Sequence, residues 1–164
     1  MSEIVSRFPW SRRVNRIPFL ASSYPAHCTN IFDAAKDRTV DEVRYFIEQR
    51  GVSVNSSHKN GITPLHLAAA FNDRLEVLVY LISRGADINA TNVLGSTPLH
   101  YAANFTANSS VIHCLIHAGA FVNARRHPPD GQTPLDMADY NRAPDHRKIR
   151  SIIVESGGMR GTEL

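Results

Sequence analysis

The feature that most constrains this chain is a seven-residue string that returns at a nearly fixed step. Thr63-Pro64-Leu65-His66-Leu67-Ala68-Ala69 reappears as Thr97-Pro98-Leu99-His100-Tyr101-Ala102-Ala103, and in weaker form as Thr133-Pro134-Leu135-Asp136-Met137-Ala138-Asp139. The two steps are 34 and 36 residues. Counting 34 residues back from Thr63 reaches Thr29-Asn30-Ile31-Phe32-Asp33-Ala34-Ala35, which keeps the threonine and both alanines but not the proline or histidine. A second mark travels with the first, because Gly51, Gly85 and Gly119 each follow their threonine by 22 residues. Thr-Pro starts a helix without losing an amide hydrogen bond, and glycine is the least costly residue at a left-handed helix end. A constant distance between the two defines a unit of fixed length, and such units bury their apolar faces by stacking on one another.

Each unit reads as two helices. Leu65, Ala68 and Ala69 make a narrow face of small residues, and Leu75, Val77, Leu78, Leu81 and Ile82 a broader second stripe at helical spacing. Val111, Ile112, Leu115 and Ile116 repeat that stripe one unit later, as do Val40, Val43, Phe46 and Ile47 one unit earlier. Segments such as Ala86-Asp87-Ile88-Asn89-Ala90 then lead into a connecting finger.

The string, its step and the constant helix–loop–helix length resemble those of ankyrin-repeat proteins. The resemblance implies an all-α solenoid of stacked helix-turn-helix repeats with β-hairpin-like finger loops. Four repeats are expected at about 29–61, 62–95, 96–131 and 132–158, so the repeat domain covers 29–158. A basic, Pro-interrupted extension (1–28) precedes it, read as disordered, docked or a targeting segment, and a tail (159–164) that is expected to fray follows. The third finger carries a two-residue insertion around 125–130, and a second insertion falls near 141–144. The outer repeats depart from the motif as capping repeats do. In the last one Asp136 and Asp139 suit an exposed edge, while Ile149, Ile152 and Ile153 face inward and Lys148, Arg150, Ser151 and Glu155 outward.

Charge narrows the choice of partners. The formal net charge is +3, and residues 1–28 alone supply it, with four arginines against Glu3. The remainder balances 14 basic against 14 acidic side chains. A neutral body lacks the basic face that neutralises phosphates, so no nucleic-acid partner is expected. No apolar run approaches the roughly 18 residues of a membrane span. Two cysteines, Cys28 and Cys114, are too few for a disulfide framework, and their sparse use suits a reducing, cytoplasmic setting.

Nothing in the chain composes a catalytic constellation, a glycine-rich phosphate cradle or a paired C-x-x-C site, so neither enzyme activity nor a cofactor or metal is expected. His66 and His100 are structural in the resemblance, their rings holding the turn and the motif threonine. His113 and His117 stand four residues apart on one helix, with no third ligand in sequence to complete a metal site. What the resemblance implies instead is a non-catalytic module that binds a protein partner, as adaptor, inhibitor or effector, acting as a monomer or within a hetero-complex. The alternative is a regulatory or assembly subunit of a larger enzyme complex, with the array as its docking domain.

Carried over from the concave side of such arrays, the partner-binding positions are Lys59, Asn60, Ile62, Ala70 and Phe71 in the second repeat. Val93, Leu94, Ser96, Asn104 and Phe105 follow in the third, then Arg125, Arg126, Gln132 and Tyr140. Phe71 and Phe105 are one 34-residue step apart and so share a face, with Tyr140 nearly continuing the row; exposed aromatics make good anchors. Two smaller expectations stand beside these. The ending Gly161-Thr162-Glu163-Leu164 fits an S/T-x-hydrophobic ligand of strand-addition domains. Asn89 resembles the finger asparagine that some ankyrin proteins present to an asparagine hydroxylase, or else bonds the finger backbone in a turn.

Overall fold

The computed structural model describes residues 29–164, and the readings made above for residues 1–28 lie outside it. Among the described residues the chain forms eight helices and no strand. They are α1 (Ile31–Asp37), α2 (Val40–Arg44), α3 (Pro64–Phe71), α4 (Leu75–Ser83), α5 (Pro98–Phe105), α6 (Ser109–His117), α7 (Pro134–Ala138) and α8 (His146–Glu155). The odd-numbered helices stack on one another in an inner row and the even-numbered ones in an outer row. This is the all-α repeat fold, four helix pairs deep.

The two stripes explain the two rows. Ala34, Ala35, Ala68, Ala69, Ala102 and Ala103 are fully buried where inner helices meet, because methyl-sized side chains let backbones approach closely. Leu65, Leu78, Leu81, Leu99, Ile112, Leu115, Ile149 and Ile153 fill the space between rows. Each of these large side chains contributes roughly 2 kcal/mol by leaving water. The terminating glycines Gly51, Gly85 and Gly119 hold positive φ, as their constant spacing implies, and Gly157 does so at the end of α8. In the second finger the demand at Gly95 is spatial as well, since a Cβ there would sit 2.8 Å from the backbone nitrogen of His127.

Three local expectations change. The first unit starts its helix one residue late: Asn30 caps α1 by accepting from Phe32 and Asp33 N–H (both 2.9 Å), while Thr29 Oγ1 donates to Asp33 at 2.9 Å. Asn30 fits because its short amide reaches both free amides of the first turn. The second helix of that unit widens into a π-type turn over Tyr45–Gln49 before Gly51. The fingers, read as hairpin-like, close with one or two backbone bonds each and no strand ladder: His58 N–H to Ile62 C=O (2.8 Å) with Gly61 N–H to His58 C=O (2.7 Å), Asn92 N–H to Ser96 C=O (3.1 Å) with Gly95 N–H to Asn92 C=O (2.9 Å), and Arg126 N–H to Gln132 C=O (3.0 Å).

The largest correction concerns the start of the tail, residues 159–161, which is docked on the last repeat. Thr133 Oγ1 donates to Met159 C=O at 2.7 Å, Met159 N–H to Asn123 Oδ1 at 2.7 Å, and Gly161 N–H to Asp136 Oδ2 at 2.8 Å. Arg160 reaches Asp139 at 2.6 Å and Asp136 at 3.7 Å. Asp136 and Asp139, expected to face solvent at an open edge, are therefore the anchor of the tail.

Candidate functional site

Motif histidines build the face before any partner meets it. Thr63 N–H and Oγ1 both approach His66 Nδ1, at 3.2 and 2.9 Å, and Nε2 lies 2.9 Å from Ser96 C=O. His100 repeats this with Thr97 (3.1 and 2.9 Å) and Gln132 C=O (3.1 Å). Since a backbone amide donates to Nδ1, that nitrogen is the acceptor and Nε2 carries the proton, so each ring is neutral. Burial lowers both pKa values, that of His100 to about 4, against the smaller raising effect of the carbonyl acceptors. These rings are structural, as the resemblance implies. They also reach across to the next repeat, which was not foreseen.

Two asparagine rows lock the repeats further. Asn55, Asn89 and Asn123 each donate from Nδ2 to the carbonyl of a terminating glycine, Gly85, Gly119 and Gly157, at 3.0, 3.1 and 2.9 Å. Each also accepts from an amide two residues beyond that glycine. The side chain of Asn89, the candidate for hydroxylation, is thus engaged on Gly119 and Phe121. Asn72 clamps the carbonyls of Ala35 (2.9 Å) and Arg38 (3.0 Å), and Asn141 those of Ala103 (2.9 Å) and Thr106 (3.0 Å).

On this scaffold the expected partner-binding residues fall into two rows. Val93 N–H donates to Asn60 C=O (3.0 Å) and His127 N–H to Leu94 C=O (2.9 Å), so the three finger tips are tied side by side. Lys59, Asn60, Val93 and Leu94 are exposed there, Arg125 is exposed just before the third finger closes, and Ile62 is half-buried behind the first tip. Along the inner helices Phe71 ends α3 and Phe105 ends α5, their rings 5.4 Å apart and tilted by 34°. They remain 46% and 50% exposed, which a core pair does not. Lys36 Nζ stands 5.5 Å from the centre of the Phe71 ring.

Other expected residues are placed differently. Ala70 and Ser96 are buried, the latter with its backbone carbonyl accepting from His66, so neither offers a side chain to a partner. Arg126 is 13% exposed, with Nη1 donating to Gln132 Oε1 at 2.7 Å and lying 3.4 Å from Asp130. It stiffens the third finger. Tyr140 does not extend the phenylalanine stack; its hydroxyl accepts from Gln132 Nε2 at 3.3 Å. Asn104 is half-buried beside Phe105. Tyr101 was missed: its ring meets His66 edge-on at 5.1 Å and Phe105 at 6.1 Å, and its hydroxyl accepts from Asn92 Nδ2 at 3.1 Å. Its signal was the motif slot holding Leu67, Tyr101 and Met137, where a residue that differs between copies faces outward.

Chemically the face offers contact and hydrogen bonding. His113 and His117 rings are 6.3 Å apart, with His117 Nδ1 bonded to His113 C=O at 2.8 Å, and no cluster of three metal-ligating side chains occurs among the described residues. Burial pushes the Cys114 thiol up to about 11, away from the thiolate form that nucleophilic chemistry needs.

Comparison with known families agrees with the stacked pairs. The family model for ankyrin repeats in many copies matches residues 47–102, and the model for a single ankyrin repeat matches residues 94–127. The chain belongs to the ankyrin-repeat family, whose domains are generally protein–protein interaction modules and typically non-catalytic. No curated protein matches it closely enough to serve as a relative. Among the described residues no helix is long and apolar enough to cross a membrane.

Proposed function

We propose that this protein is a non-catalytic module that captures a protein partner on the face formed by its finger tips and inner helices, as an adaptor, inhibitor or effector in the cytoplasm. The observation that carries the proposal is the Phe71–Phe105 pair. Two large aromatic rings stack at 5.4 Å yet stay about half in water, at matching positions of successive repeats. Leaving that much aromatic surface exposed costs solubility and gains nothing for the core, whereas a partner covering it recovers the unburied half. Val93 and Leu94, at 61% and 52% exposure, add apolar area on the neighbouring finger. The mechanism is rigid display, in which histidine and asparagine rows hold the repeats while the exposed positions vary freely.

The experiment is quantitative affinity capture from cell extract, comparing the wild type with Phe71→Ala plus Phe105→Ala. The double variant is expected to lose the specifically captured protein while its Tm falls by only about 3 °C. An unchanged capture profile, or a Tm loss of 10 °C or so that marks the pair as core, overturns the proposal.

A further inference from the structure

The charges around the same face say what kind of segment it takes. On the finger row, Lys59 stands at the tip of the first finger, Arg125 just before the third finger closes with its guanidinium over Gly131, and exposed Val93-Leu94 at the tip of the second lies between them. Neither cation makes a hydrogen bond or ion pair among the described residues. On the helix row, Lys36 lies over Phe71 and is likewise without a carboxylate. The acids of both rows are spent locally: Asp33 accepts from Asn30 Nδ2 at 2.8 Å, Asp37 pairs with Arg38 at 3.1 Å and Asp130 with Arg126 at 3.4 Å. Residues 29–164 balance 14 basic with 14 acidic side chains, so the domain as a whole is neutral while this face leaves Lys59, Arg125 and Lys36 uncompensated. The cations are also separated by apolar residues, unlike the continuous basic stripe that tracks a phosphate backbone.

We infer that the partner presents a segment with an apolar centre flanked on both sides by acidic residues. The inference rests on the module reading above. Two helix-packing steps separate the first finger from the third, roughly 20 Å, which about six extended residues span. The segment therefore carries Asp or Glu about six residues apart, with Leu, Phe, Trp or Met between them seated on Val93-Leu94 and the phenylalanine pair. Complementary charge at the two ends raises the association rate and sets the register, while the apolar middle supplies affinity.

The test is selection of a phage-displayed library of random 12-residue peptides on the full chain, followed by synthesis of the most enriched peptide. Enriched sequences are expected to show the acidic–apolar–acidic pattern. Binding of the synthetic peptide is expected to weaken at least about tenfold in Lys59→Glu plus Arg125→Glu, and to weaken with added salt, because these charges are exposed to the ionic atmosphere. Both substituted side chains are exposed and unpaired, so the variant keeps its fold. Enriched peptides that lack acids, tolerate the charge reversal and still require Phe71 and Phe105 overturn the charge inference and leave the module reading standing. No enrichment, or peptides indifferent to both pairs of substitutions, overturns both.

Discussion

Thr97 and Thr133 open two helices that begin alike and end their repeats differently. At Thr97 the third helical residue is His100, a neutral ring that accepts from the threonine on one side and donates to the next repeat on the other. At Thr133 it is Asp136, whose Oδ2 accepts from Thr133 N–H (3.0 Å) and from the amide of Gly161 in the tail, while Thr133 Oγ1, 3.1 Å from it, turns its one proton to Met159 C=O. The same capping geometry is thus completed by a donor where a carbonyl must be met and by an acceptor where an amide must be met. Inside the stack the group has to be uncharged, because it is sealed from water. At the end a carboxylate is tolerated, because its side chain keeps 17% exposure and Arg160 stands beside it. Even the asparagine row respects this parallel. Asn123 holds Gly157 and Met159 as Asn89 holds Gly119 and Phe121, so the tail occupies the place of a fifth repeat.

Removing the inner ring breaks the comparison most severely. His100→Ala strands the Gln132 carbonyl and the Thr97 amide in a dry interface and leaves a cavity, and is expected to cost about 3 kcal/mol. Urea denaturation measures it. A loss no larger than that of an exposed substitution, about 0.5 kcal/mol, means the ring is dispensable to the stack.

Acid separates the two regions by pH window. The folded pKa of His100 lies below its ordinary value of 6.5, at about 4, so between those values the unfolded chain binds more protons than the folded one. Stability from this histidine is therefore fully present above 6.5 and lost as pH falls toward 4, by roughly 3 kcal/mol. His66 is shifted the same way by burial and adds to the loss in the region below 6.5. Denaturation midpoints taken from pH 8 to pH 3 are expected to fall through this window. His100→Gln, which cannot titrate, is expected to flatten part of the fall; a profile unchanged by that substitution assigns the acid sensitivity elsewhere.

The repeat order was legible because stacking imposes a period, and the period survives in Thr63, Thr97 and Thr133, in the terminating glycines and in the alanine pairs. What the period carries it cannot fully interpret. Asn55 and Asn89 recur at 34 residues, yet that they bond the neighbouring glycine rather than their own turn depends on the packing distance between repeats. The Asn72 and Asn141 clamps were hidden because Thr106 occupies the intervening position. Spacing put Phe71 and Phe105 on one face, but their half-exposure depends on what packs around the far ends of α3 and α5, which spacing does not carry. Burial of Ala70 and Ser96 within otherwise open positions was equally a matter of packing. The docked tail was illegible for a different reason. Arg160 and Gly161 meet Asp136 across about 25 residues of chain that includes α8, and no periodic signal links them.

That contact also supplies the finest separation of end from interior. Burial pushes the Asp136 carboxyl up, but hydrogen bonds from Thr133 and Gly161 and the nearby Arg160 guanidinium outweigh it and hold the pKa below 3.8. Its stabilising effect is therefore present above 3.8 and lost only as pH falls below that value, under the window of the histidines. Asp136→Asn keeps an oxygen for the amides of Thr133 and Gly161 but removes the charge and turns an NH2 toward Arg160, so a loss of about 1 kcal/mol is expected near neutral pH. Hydrogen exchange should quicken at Gly161 and Met159 while the α3–α5 contact stays as protected as before. The variant is expected to shed the fall in stability below pH 3.8 and to retain the fall between 6.5 and 4. Faster exchange throughout α5 and α6 would mean that the tail braces the whole stack, and the boundary between end and interior would then lie deeper than the last helix pair.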